Sequence, residues 1–298
     1  MKKTWWLSWR AAIITCFIFI GIVLLMDSCT RFQFRSSKKQ IDHFFADKAT
    51  KESFHSYYQG KRFIHYVEVG NDQRPLIIFV HGSPGSLDAF LDFLADTTLL
   101  KQAQLISVDR PGFGESNYGN AEPSLRKQAA LLKPILEKHK NQRPIILVGH
   151  SLGGPVIARM AMDYPELVDG LVFVAASIDP DLEPHEWFRA PLATPFFSWL
   201  MPRALRASND EIYKLKPELQ EMLPLWSTIK CPAVFIQGEM DELVDPGNAE
   251  FAKKMMTGTT VKLVLKKEMN HFVPWTHPYL INDAILQLIN PDSVSVKK

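Results

Sequence analysis

Along this chain the apolar positions change rhythm more than once. Residues 11–26 are apolar without a break, whereas residues 30–52 are polar and charged apart from a short amphipathic patch around Ile41 to Phe45. From residue 53 onward, short β-rich runs alternate with longer stretches of helical pattern. Residues 76–80, 104–108, 145–148 and 171–175 read as strands, and 86–100, 123–140 and 152–164 as the helices between them. Ahead of these, residues 54–58 and 62–69 flank Gln59-Gly60-Lys61 and read as a hairpin that opens the sheet. Strands alternating with helices of this length form βαβ units and a mostly parallel sheet. Right-handed crossovers then put the chemistry at the carboxyl ends of the strands.

From residue 178 to 228 the alternation stops, and prolines and aromatics (Trp187, Phe196, Phe197, Trp199, Trp226) become frequent. The β rhythm returns at 233–237 and 261–265, and a last helix is expected over 278–289. The expected architecture is α/β: a mostly parallel central sheet flanked by helices, with a small helical cap. The matching partition is an N-terminal signal or anchor (1–29), a linker or stalk (30–52), a core in two parts (53–177 and 229–298) and a cap insertion (178–228).

Charge and cysteines narrow the partners. The 34 basic and 32 acidic side chains leave a formal net charge of +2, which gives no electrostatic case for nucleic acid. Cys16, Cys29 and Cys231 stand far apart and form neither a disulfide framework nor a zinc-like spacing. Lys2, Lys3 and Arg10 precede the apolar run, as they do in a signal for membrane insertion or export. As a helix the run spans ~24 Å against ~30 Å of bilayer hydrocarbon, although Trp5, Trp6 and Trp9 extend it as an interfacial belt. It is followed by Met26-Asp27-Ser28-Cys29, which resembles the lipobox of a bacterial lipoprotein, with Asp27 where a small or apolar residue is usual. The expectation is membrane attachment in a bacterial cell envelope, either through a lipidated Cys29 or through an uncleaved N-terminal anchor. Basic residues on both sides of the run leave its orientation open.

The strongest chemical signal is Gly149-His150-Ser151-Leu152-Gly153. A predicted strand runs directly into it and an apolar helical pattern leaves it, which is the setting of a nucleophile elbow. The flanking glycines suit a turn in which backbone segments approach closely. The helix start behind Ser151 directs amides and partial positive charge at any oxyanion.

On these residues the chain resembles the α/β-hydrolase superfamily, from about Phe54 to Ile289. His81-Gly82-Ser83-Pro84-Gly85 is similar to its oxyanion-hole loop, and Asp109 to Ser116 to its D-x-x-G-x-G-x-S turn. Gly238 to Val244 resembles its acid-bearing loop and Asn270-His271-Phe272 its histidine loop. The resemblance implies a Ser151–His271–Asp241 triad, in the chain order of that fold. It also implies an oxyanion hole from the Ser83 and Leu152 amides, since Pro84 has no N–H. Chemistry asks for the same set, because a serine hydroxyl needs an imidazole to take its proton and the imidazole needs a carboxylate to fix its tautomer.

Rival assignments exist. His277 is the other candidate base, and Asp179 and Asp245 are the other candidate acids. His150 and His81 read as packing and loop-bracing residues, and Asp109 to Ser116 as a structural turn from which Arg110 or Phe113 is the candidate for substrate contact. The expected function is hydrolysis of an ester or related acyl bond through an acyl-serine, with no metal or organic cofactor implied. The expected partner is a small acyl substrate, apolar if the cap aromatics line its pocket; the alternative is that they simply pack the cap on the sheet. A non-catalytic binding or sensing protein on the same fold is the rival function.

Overall fold

The computed structural model describes residues 13–18, 21, 34–140 and 143–290. The candidate lipobox and Cys29 lie outside the described residues. Residues 13–18 are helical, with Ile13, Ile14, Phe17 and Ile18 exposed. Among the described residues no helix is long and apolar enough to cross a membrane.

One eight-stranded sheet organises the chain: β1 (Ser53–Gln59), β2 (Arg62–Val69), β3 (Leu76–Val80), β4 (Gln104–Val108), β5 (Ile145–His150), β6 (Gly170–Val174), β7 (Ala233–Gly238) and β8 (Val261–Lys266), in the spatial order β1-β2-β4-β3-β5-β6-β7-β8. β2 pairs antiparallel with β1 and β4, and every other pairing is parallel. Strands β3 to β7 are buried at every residue, as expected where helices cover both faces. Alternation divides each strand between two cores. Leu76, Ile78 and Val80 face the core shared with helices Leu125–His139 and Gly153–Asp163, whereas Ile77 and Phe79 face the one that holds Phe90, Phe93 and Ile281.

Two elements differ from expectation. The helix expected over 86–100 is three short pieces: a 3-10 turn (Leu87–Phe90), Leu91–Leu94 and Thr97–Leu100. Asp96 accepts the N–H groups of Thr98 and Leu99 and so starts a new helix where a continuous one would run through. The described part of the expected stalk is also no free linker. Lys38–Phe45 is a helix, begun by a capping box in which the Ser37 N–H donates to Gln40 Oε1 at 2.8 Å. Its Ile41 and Phe45 are buried in the second core, and Ser36 Oγ donates to Asp88. The amphipathic patch is therefore the inner face of a docked helix, worth roughly 1.5–3 kcal/mol for each apolar side chain so buried.

Between β6 and β7 the chain leaves the sheet through short helices at Arg189–Leu192 and Pro195–Trp199. A long helix at Arg203–Met222 follows, and then a 3-10 segment, Leu223–Thr228. Trp226 is fully buried against Phe173 of β6 and Phe251, so it belongs to the core. Trp187, Phe196, Phe197 and Trp199 are between 46% and 77% exposed.

Candidate active site

Ser151 sits on the turn between β5 and helix Gly153–Asp163 with a φ of +52°, in the left-handed region that a side-chain-bearing residue rarely adopts. The turn is pinned by the Ser151 N–H, which donates to the Val174 carbonyl at 2.9 Å. Its glycines have a steric cause: a Cβ on Gly149 would stand 2.5 Å from the Gly153 carbonyl oxygen, and one on Gly153 would strike the Val80 carbonyl. This is the strained geometry that lifts a serine hydroxyl above a sheet.

His271 follows β8, and its Nδ1 stands 2.8 Å from Asp241 Oδ2. Both side chains are buried. Asp241 Oδ1 accepts the N–H groups of Leu243 and Val244, both at 2.9 Å, and Gln237 Nε2 donates to Oδ2 at 3.0 Å. Burial alone would raise this carboxyl. The bonds from His271 and from the Val244 and Leu243 amides outweigh it and hold the group below the usual carboxylate range. A charged Asp241 keeps a proton on Nδ1 of His271 and leaves Nε2 as the basic nitrogen.

The rival residues are engaged elsewhere. Asp179 Oδ1 accepts the Asp181 N–H in a local turn, and Asp245 Oδ1 accepts that of Gly247 ahead of helix Asn248–Met255. His277 caps the helix Pro278–Ile289 and bonds Thr276.

His150 does more than pack. Its Nε2 is 3.0 Å from the His271 carbonyl and its ring lies 4.8 Å from that of His271, so it braces His271. Burial, with His271 adjacent, pushes it down to about 3, so the ring is neutral and its Nε2–H donates.

The loop after β3 approaches the elbow closely enough that a Cβ on Gly82 would be 3.0 Å from Ser151 Cβ. Ser83 and Leu152, the expected oxyanion donors, both line the cleft with Ser151. Leu152 is the N-cap of the helix behind the serine, a position whose N–H has no intrahelical acceptor. His81 holds the loop: the Arg110 N–H donates to its Nε2 at 3.0 Å and its Nδ1 bonds the Gly82 carbonyl at 2.7 Å.

Arg110 is wholly buried and makes the contact that sequence reasoning missed. Its guanidinium donates to the carbonyls of His81 (2.8 Å) and Gly82 (3.0 Å), and to both Glu211 oxygens at 2.8 and 3.0 Å. Glu211 lies on the long cap helix, and Gln128 completes the cluster. One buried ion pair thus ties the loop after β3 to the cap. An apolar-flanked glutamate at helical spacing carries no sequence signal of such a role. The neighbouring turn is structural: Asp109 accepts from the Leu87 and Glu115 amides, and a Cβ on Gly114 would overlap its carboxylate.

Two clefts meet at the serine. One, of about 960 Å³, has walls from Phe272 and Trp275 and from Phe34, Arg35, Ser36 and Gln40 of the N-terminal segment. The other, of about 600 Å³, lies under the cap. Ser83, Pro84, Ser151, Leu243 and His271 belong to both. Of the five aromatics that suggested an apolar cap pocket, none lines either cleft; Phe188 is the cap aromatic that does.

A family model described as the alpha/beta hydrolase fold matches residues 75–212. Among curated relatives, the dihydrolipoyllysine-residue acetyltransferase component of the acetoin cleaving system of Pseudomonas putida is 24% identical over 164 residues, 55% of this chain and 44% of that protein. Epoxide hydrolase 1 of Caenorhabditis elegans is 28% identical over 116 residues, 37% of this chain and 27% of that protein. The chain thus spans less than half the length of these relatives. Among solved structures, a carboxylesterase from Bacillus subtilis superposes with a TM-score of 0.60 at 19% identity, covering 84% of this chain and 96% of that one. A membrane phospholipase A described as a bacterial virulence factor gives 0.62 at 18% identity, covering 98% and 99%. Sheet order, elbow and the family match over residues 75–212 together show an α/β-hydrolase fold.

Proposed function

We propose that this protein is a serine hydrolase that cleaves an ester or related acyl bond through an acyl-Ser151 intermediate. The observation that carries the reading is the His271–Asp241 bond at 2.8 Å beside a serine held at positive φ in the same cleft. Ser151 Oγ attacks the acyl carbon while His271 Nε2 takes its proton. The Ser83 and Leu152 amides receive the negative charge that develops on the carbonyl oxygen. Collapse expels the alcohol, which takes the proton from His271; water, activated by the same imidazole, then frees the acid and restores the serine. Fluorophosphonate labelling tests this directly: wild type should be labelled at Ser151, and Ser151→Ala should lose label and about 10⁴–10⁶ in kcat while remaining folded. Near-wild-type turnover by Ser151→Ala would end the proposal.

The apolar run of residues 11–26 supports a second part of the reading, attachment to the bacterial envelope membrane. Full-length protein should sediment with membranes. Cys29→Ser should leave an uncleaved, heavier precursor if Cys29 is lipidated, and change nothing if the segment is an uncleaved anchor. Full-length protein with an intact N-terminus in the soluble fraction would refute both.

A further inference from the structure

The cleft under the cap is more polar than a pocket for an alkyl chain requires. Its apolar walls include Phe188, Leu192, Met201 and Ile212, but Ser177, Glu183, Ser208 and Asn209 line it too. Asn209, on the long cap helix, is only 2% exposed. Its Nδ2 donates to the Arg189 carbonyl at 3.2 Å, which fixes the orientation of the amide. Its Oδ1 is buried and has no hydrogen-bond partner. Near-universal pairing of buried polar atoms makes such an oxygen an exception that calls for a cause.

Glu183 is the second acceptor. Ser177 Oγ donates to its Oε1, and the carboxylate lines the cleft. Burial raises this group above the usual carboxylate range, against the lowering effect of the Ser177 bond and the nearby Lys216 and Arg189 charges. Of these charges, the Arg189 guanidinium pairs with Glu186 and stacks on Phe188. Asn209, with its amide oxygen unpaired, and the Glu183 carboxylate thus line the same lobe as Ser151, among aliphatic walls.

From this we propose that the cap-side lobe is a subsite for a substrate part that carries a hydrogen-bond donor, a hydroxyl or an amide N–H, and not for a plain alkyl chain. The inference rests on the serine-hydrolase reading above and names the substrate class for it. Water satisfies such acceptors in a free enzyme, and a substrate donor takes its place at little cost. An alkyl group of the same size expels the water and leaves Asn209 Oδ1 bare. A site of this kind discriminates sharply against the analogue that lacks the donor.

Matched esters in which one hydroxyl replaces one methyl test it on either side of the scissile bond. On the acyl side they are p-nitrophenyl 3-hydroxybutyrate and 3-methylbutyrate; on the alcohol side, 2-hydroxypropyl acetate and isobutyl acetate. Wild type should favour the hydroxylated member of at least one pair by about tenfold or more in kcat/KM. Asn209→Leu should erase that preference by raising KM for the hydroxylated ester, while the methyl partner stays within about twofold. Glu183→Leu, an independent variant in case Asn209→Leu does not fold, should act in the same direction. Preference for the methyl member in both pairs would overturn the proposal, as would equal losses for both members in folded variants. Loss of all ester turnover in wild type, with no fluorophosphonate label, would instead bring down the hydrolase reading and this one with it.

Discussion

The two walls of the cleft are built in different ways. On the sheet side, each group of the site hangs from the end of a strand: Ser151 from β5, Asp241 just beyond β7, His271 beyond the edge strand β8, and the Gly82–Ser83 loop from β3. Each is held by backbone bonds to its neighbours, such as Ser151 N–H to Val174 and the Leu243 and Val244 amides to Asp241. On the cap side, Trp187, Phe196, Phe197 and Trp199 point outward, while Phe188 and Leu192 line the cleft and the long helix reaches in through Glu211 to Arg110 and through Asn209 to the cleft. The sheet wall fixes geometry and the cap wall fixes what fits against it. Substitutions on the first should therefore alter chemistry, and those on the second should alter selectivity or stability.

The sharpest separation should come from the acid. Asp241→Asn keeps the shape but loses the charge that holds the His271 tautomer, and kcat should fall by about 10⁴ with little change in KM. Asp179→Asn, which changes a side chain bonded within its own turn, should be mild. Steady-state kinetics on any accepted ester decides; a reversal of the two would move the acid to the loop after β6. The sign of the acid-side pH dependence follows from Asp241 being held low. Its stabilising contribution is complete above the ordinary carboxylate pKa and is lost as pH falls through the lower folded value, so acid unfolding should soften in Asp241→Asn.

Next comes the buried ion pair between the walls. Glu211→Gln leaves the Arg110 guanidinium buried without its counter-charge and should cost about 3–5 kcal/mol in urea unfolding. Because Arg110 also holds the His81 and Gly82 carbonyls, kcat should fall as well. A destabilised Glu211→Gln with unchanged kcat would show the walls to be independent.

How far the sequence reports this site follows the same division. Strand positions are written in short apolar runs whose meaning is local, so six parallel-sheet strands were placed to within two residues. The elbow is local too, because sterics leave only glycine at positions 149 and 153. Ser83, Leu152, Asp241 and His271 follow strand ends, and the expectation that they act together comes from resemblance to loops of fixed position. Arg110–Glu211 joins residues 101 apart in sequence, and no local pattern encodes it. The docked helix Lys38–Phe45 was misread for a related reason. Its eight residues bury only Ile41 and Phe45, with Phe44 packed partly against the same core, too few for periodicity to distinguish a docked helix from a stalk.

That helix yields a prediction about truncation. Removing residues 1–33 should leave a folded hydrolase domain, whereas removing 1–50 uncovers part of the second core and takes away the Phe34–Gln40 wall of the larger cleft. Phe45→Ala isolates the stability part and should cost about 3 kcal/mol. Thermal melts of the two truncations and the point variant would show it. Equal stability for the 34-start and 51-start proteins would return the segment to the status of a linker.

The smallest effect should be at the cap surface, and it tests the comparison from the other end. Trp199 is 59% exposed and Trp187 77%, and neither lines a cleft, so little of either ring's apolar area is removed from water by folding. Trp199→Ser should therefore change stability by no more than about 0.5 kcal/mol, the range typical of surface positions, and leave kcat/KM for short soluble esters unchanged. Trp226→Ser is the contrast within the same insertion: fully buried against Phe173 and Phe251, it should cost about 3–5 kcal/mol. If Trp199→Ser were as damaging as Trp226→Ser, the outer aromatics would be packed, and the cap would be a second core with no separate outward-facing layer.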